Sequence, residues 1–211
     1  MPDDDQSLRE ALLNTMQILH RRGWCDGSGG NFSVVRQRLP LQLLMAPSGV
    51  DKGSVQPGQL IAVDGQGCVV EGEGRASAET AVHVAIVDRL RAGCVLHTHS
   101  LAATVLSRCY CDAGSIPLEG WEMLKGLKGV STHDTTISLG VVANNQNMQD
   151  LVQSLETHLR EPTCGVLVAG HGLYAWGETI EEARRHVEIF EFLLSAHWMY
   201  QQMSAALKPA A

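Results

Sequence analysis

The chain has 211 residues, 45% hydrophobic and 18% charged, with a formal net charge of −7. That length and apolar fraction suit one domain spanning residues 1–211, with its core at about 7–203. The acidic balance excludes the broad basic surface that nucleic acid or an anionic membrane requires, and no apolar run approaches the roughly 18–20 residues of a membrane span. The start, MPDDDQSLRE, is acidic where a secretory signal is basic and then apolar, so a cytoplasmic protein is expected.

In chain order, residues 7–22 place Leu8, Ala11, Leu12, Thr15, Met16 and Leu19 at helical spacing, with Gly23 as the stop. GWCDGSGGNFSVV is a glycine-rich turn entering a strand, and LQLLMAPSGVDKG is a strand followed by a turn at Pro47 and Gly49. QLIAVDGQGCVVEG carries a hairpin signal at Asp64-Gly65. Residues 77–93 form an amphipathic helix leading into the strand CVLHTH, and the segments SLAATVLSRCY and LEGWEMLKGLKG have the spacing of short helices. TTISLGVVA is extended, NMQDLVQSLETHL is a helix with Asn147 as N-cap, and CGVLVAGHGLYAWG is two strands around a Gly-His-Gly turn. A long helix from about 180 to 203 opens with a capping box, Thr179 and Glu182. Hairpin adjacencies outnumber βαβ units, which predicts a mixed or antiparallel sheet with helices on both faces.

Alternation along a strand sends His97 and His99 to one face. His171 follows a second apolar strand, between Gly170 and Gly172. Zinc in catalytic sites takes three protein ligands and keeps one position open, and these three histidines would supply them if the two strands are neighbours. His20, His158, His186 and His197 lie within helical patterns and are expected to be solvated or at the core edge; His83, one turn past Glu79, is expected to pack or hydrogen-bond. The six cysteines have no CxxC spacing and are expected to be free thiols.

GSGGNFS (27–33) and APSG (46–49) are turns able to present backbone amides and hydroxyls to a phosphate, with Ser77 a third contact or a simple helix cap. Neither turn matches a nucleotide-binding fingerprint. Glu79 and Glu122 are both positioned as candidate acid–base groups, and residue pattern alone does not separate them.

As a set, GSGGNFS, APSG, SAET…H, HTHS and GHGLYAWG, in this order over residues 7–203, resemble the class II (zinc) aldolase/adducin-like family. Within it, EMLKG close after HTHSLAA, followed by GHGLYAWGET, is most similar to members that dehydrate a ketose phosphate. The resemblance implies an α/β/α layered fold on a mostly antiparallel central sheet. It implies one zinc per subunit on His97, His99 and His171, and phosphate contacts at Gly30, Asn31, Ser48, Gly49 and Ser77. It also implies a homotetramer with sites near subunit contacts, acting on a small ketose phosphate. By this likeness Glu79 falls at the acid–base glutamate of the aldolases and Glu122 at the catalytic glutamate of the dehydratases. An aldolase or a pentulose-phosphate 4-epimerase is the alternative, against which stands the tail QQMSAALKPAA, without the tyrosine those enzymes carry. A non-catalytic adducin-head-like domain is a third reading, and it has no need of three converging imidazoles.

Overall fold

A computed structural model describes residues 2–160 and 163–207. Helix α1 (Pro2–Arg21) ends at Gly23, whose φ of 72° breaks the helical path. Strands β1 (Asn31–Arg38) and β2 (Leu41–Met45) form a hairpin, as do β3 (Ile61–Asp64) and β4 (Val69–Glu71). The Asp64 carboxylate closes the second turn by accepting from the Gln66 and Cys68 amides, both at 2.9 Å. Helix α2 (Thr80–Leu90) leads into β5 (Cys94–Thr98). Helix α3 (Leu101–Cys109) starts on the Ser100 hydroxyl, which accepts from the Ala103 amide. Then follow β6 (Ser115–Glu119), β7 (Thr136–Val142), α4 (Met148–Leu155), β8 (Gly165–Val168), β9 (Gly172–Gly177) and α5 (Ile180–Ala206).

The nine strands form one sheet in the order β4-β3-β2-β1-β5-β9-β8-β7-β6. All neighbours are antiparallel except β7 and β8. Side-chain alternation splits the core in two. Cys94 and Leu96 of β5 belong to the cluster that buries Leu12 and Met16 of α1, Ala103 and Leu106 of α3, and Phe190 and Leu194 of α5. Val95 belongs to the cluster with Val82 and Ile86 of α2 and Leu151 and Leu155 of α4.

The structure departs from the sequence pattern in three places. LEGWEMLKGLKG is not a helix: residues 115–119 are a strand and Glu122–Gly126 a single 3₁₀ turn. Its apolar spacing suggested a helix, but Pro117 disfavours helix at the residue before it, and Gly120 adopts φ 73° between the two pieces. Helix α2 begins three residues later than the pattern, because the Ser77 hydroxyl accepts from the Glu79 amide in a local turn. At α5, Thr179 accepts from the Glu182 amide as expected, but the Glu182 carboxylate accepts from Glu178 N–H (2.6 Å), so the reciprocal half of the box moves one residue upstream. Asn147 caps α4 through the Gln149 amide.

Candidate metal centre and anion pocket

Strand β5 is paired with β1 on one side and β9 on the other. That central position makes the end of β5 the meeting point of three segments far apart in sequence. His97 lies on β5 and His99 one residue beyond it, on the same face. His171 occupies the turn between β8 and β9. Their ring nitrogens converge, with Nε2 of His97 at 2.9 Å from Nε2 of His99 and 3.3 Å from Nε2 of His171.

The tautomer of His97 follows from its partner. Its Nδ1 is 2.9 Å from the Leu173 carbonyl, which can only accept, so Nδ1 carries the proton and Nε2 presents a lone pair to the cluster. The ring is fully buried and stacks on Tyr174 with centroids 3.9 Å apart. Burial, reinforced by His99 and His171, holds the His97 pKa well below the usual histidine value. Burial likewise lowers His99 to about 4. Both rings are therefore neutral donors at physiological pH. Three imidazole nitrogens within 4.8 Å of one another, one with a fixed tautomer, fit a divalent metal.

Glycines make room for this. At Gly30, φ is 73° and a Cβ would lie 2.5 Å from the His97 carbonyl. At Gly172 a Cβ would overlap the Thr98 carbonyl. These positions admit hydrogen and little else.

Of the two carboxylates, the structure brings Glu79 to the histidines. Its oxygens lie 3.2 Å from His171 Nε2 and 3.7 Å from His97 Nε2. A directional chain holds it there. The Ser33 hydroxyl donates to His83 Nδ1 (2.7 Å), His83 Nε2–H donates to the Asn31 carbonyl oxygen, and the Asn31 amide donates to Glu79. His83 is completely buried, and burial depresses its pKa to about 3, so the ring stays neutral in its bridging role. The expectation that His83 is a hydrogen-bonding group holds. His186, expected at the core edge, is instead fully buried and donates from Nδ1 to the Trp176 carbonyl.

Glu122 is elsewhere. It begins the 3₁₀ turn after β6, which is four strands from β5, or roughly 19 Å at ordinary strand spacing. Its exposed carboxylate pairs with Lys125 and His133, and the Lys125 hydrogen bond lowers its pKa. Beside it opens a cleft of about 840 Å³, lined by Glu119, Trp121, His133 and Tyr200 among others.

All five residues matched to phosphate contacts, Gly30, Asn31, Ser48, Gly49 and Ser77, line one smaller pocket of about 180 Å³ together with Glu79 and His99. Asn31 has its side chain committed to Glu79 and His83 there, and the Ser77 hydroxyl to the Glu79 amide. Lys52 also lines it. Sequence reasoning passed over Lys52, although it stands three residues after the APSG turn, and over Glu191, a buried acid on α5 that accepts from the Thr98 hydroxyl (2.8 Å), between His97 and His99 in the chain.

Residues 10–198 match the family described as Class II Aldolase and Adducin N-terminal domain. The chain belongs to this family. It is 43% identical over 190 residues to a methylthioribulose-1-phosphate dehydratase of Xanthomonas campestris pv. campestris, covering 89% of this chain and 86% of that one. It is 42% identical over 200 residues to one of Xylella fastidiosa, covering 92% and 90%. The crystal structure of L-fuculose-1-phosphate aldolase from Thermus thermophilus superposes with a TM-score of 0.76 at 26% identity, over 97% of this chain and 100% of that one. The family fold, a mostly antiparallel sheet with helices, is the one described above. No helix among the described residues is long and apolar enough to cross a membrane.

Proposed function

We propose that this family member is a cytoplasmic methylthioribulose-1-phosphate dehydratase, removing water from 5-methylthioribulose 1-phosphate to give 5-methylthio-2,3-dioxopentyl phosphate in methionine salvage. The observation that carries the reading is the three-imidazole centre with Glu79 against it, in a chain more than 40% identical to proteins of that name. A single domain is supported by one sheet that draws strands from residues 31 to 177.

His97, His99 and His171 would hold zinc, which when bound supplies a Lewis acid to the substrate's C2 carbonyl. The rest is done by the chain. Glu79, oriented by Asn31, is placed beside the histidines to take the C3 proton. The C4 hydroxyl then leaves with a proton, and the enol tautomerises to the diketone. Glu122 is the proposed donor of that proton. Because β6 lies four strands from β5, the donor comes from a second copy of the chain, in a homotetramer. The pocket volume supports this: about 180 Å³ is below the roughly 300–1,000 Å³ of ligand sites, so one chain supplies only part of the enclosure. Gly30, Asn31, Ser48, Gly49 and Ser77 would receive the phosphate.

Mass spectrometry of the products from zinc-loaded protein and 5-methylthioribulose 1-phosphate tests the reading. A product lighter by one water is expected. Cleavage into two carbonyl compounds would transfer the proposal to an aldolase. An unchanged substrate with zinc present would remove the dehydratase reading.

A further inference from the structure

Among the described residues Lys52 is the one buried lysine, with 3% of its surface exposed. An ammonium group has three donors. Two are used on main-chain carbonyls, those of Ser28 (3.0 Å) and Val50 (2.9 Å), which tie the glycine-rich turn to the APSG turn. No carboxylate of the described residues lies within ion-pair distance of it. The neighbouring Asp51 carboxylate accepts from the Gly53 amide and faces His20 at 3.2 Å. Cys25, which also faces Lys52, is no counter-ion, because burial pushes its thiol up to about 12. His99, on the other side, is neutral. Burial lowers the pKa of Lys52 itself, and the charge of Asp51, which makes no ion pair with it, offsets that only in part.

A buried charge without a partner is costly, and a chain of net charge −7 has carboxylates to spare. Here none is placed against it. The third donor remains for something that the chain does not contain, and Lys52 borders the pocket shared by Gly30, Asn31, Ser48, Gly49 and Ser77. The other donors there are neutral, and the Asn31 amide is already engaged. A phosphate dianion entering this pocket meets one fixed positive charge.

We propose that Lys52 is the charge anchor for the substrate's phosphate: two N–H groups brace the two turns and the third bonds a phosphoryl oxygen. This rests on the reading that the site takes a phosphate ester, and it adds a specificity element, since an unphosphorylated ketose leaves the cation uncompensated.

The test compares wild type with Lys52→Met, which keeps the volume and removes the charge. Inorganic phosphate should raise the melting temperature of the wild type and leave that of the variant unmoved. KM for 5-methylthioribulose 1-phosphate should rise about ten- to a hundredfold, the scale of a hydrogen bond to a charged group, with kcat nearly unchanged. Equal phosphate protection of both proteins, or an unchanged KM, overturns the proposal. Phosphate protection confined to a wild type that shows no dehydration upholds Lys52 while removing the activity reading. Should the variant fail to fold, tungstate soaked into wild-type crystals decides: an anomalous peak within about 4 Å of Lys52 Nζ, ion-pair range, is expected, and a peak elsewhere or none overturns the proposal.

Discussion

With His97, His99 and His171 proposed as the three donors to one metal ion, His97→Ala or His171→Ala should lose metal and dehydration together, read by elemental analysis and product formation. Because His97 and His99 are neutral well below pH 6, metal loss on dialysis between pH 7.5 and pH 6 should follow no more than one proton per ion. Glu191 responds to pH differently. Burial raises its pKa from 4.5 to about 7, only partly offset by the Ser100 and Thr98 hydroxyls, and one carboxyl oxygen has no hydrogen-bond partner. Between those two values the folded chain keeps a proton that the unfolded chain has released, so stability falls as pH rises through that window. The loss is on the order of 3 kcal/mol. Glu191→Gln should abolish this contribution, seen as a flatter dependence of urea-unfolding free energy between pH 5 and 8. An unchanged slope would place the carboxyl in a wetter site than the packing shows.

At the scale of elements, the β5–β9 pairing depends on the absence of a side chain at Gly172. Gly172→Ala would drive a methyl into the Thr98 carbonyl and should destabilise the fold by about 1–3 kcal/mol, the usual cost of overpacking, while displacing His99 enough to weaken metal binding. Differential scanning calorimetry with and without metal checks both effects. This contact also shows what a sequence can and cannot disclose. The shared face of His97 and His99 was legible because strand alternation is a local rule, and so was the hairpin at Asp64-Gly65. That His171 joins them was only a possibility, because strand neighbours 76 residues apart, such as His97 and Leu173, leave no local mark. Glu79 and Glu122 looked alike for the same reason: each stands on a plausible turn of helix, and only the order of strands separates them. Strand β6 was hidden by an apolar spacing that fits a helix until Pro117 and Gly120 are given their weight. Lys52 was invisible because burial of a lysine is a property of the finished packing.

At the scale of the whole molecule, the separation of Glu122 from the histidines makes a prediction about mixtures. Glu122→Gln alone should keep its metal and lose about two to four orders of magnitude in turnover. Co-assembled with an equal amount of His97→Ala, it should regain about a quarter of the wild-type sites, each pairing intact histidines from one subunit with an intact Glu122 from another. No recovery in a mixture shown to contain both proteins would mean that Glu122 does not serve the site across subunits. The position of β5 between β1 and β9 bears on something earlier still, the making of the protein. While the ribosome is still adding residues beyond the HTHS segment, the nascent chain owns two of its imidazoles and lacks the strand that fixes the tautomer of the first. The full donor set exists only after residues 171–177 have emerged and β9 has paired. A metal ion held by all three rings would therefore be acquired only after closure of the sheet during biosynthesis and would not guide its early steps.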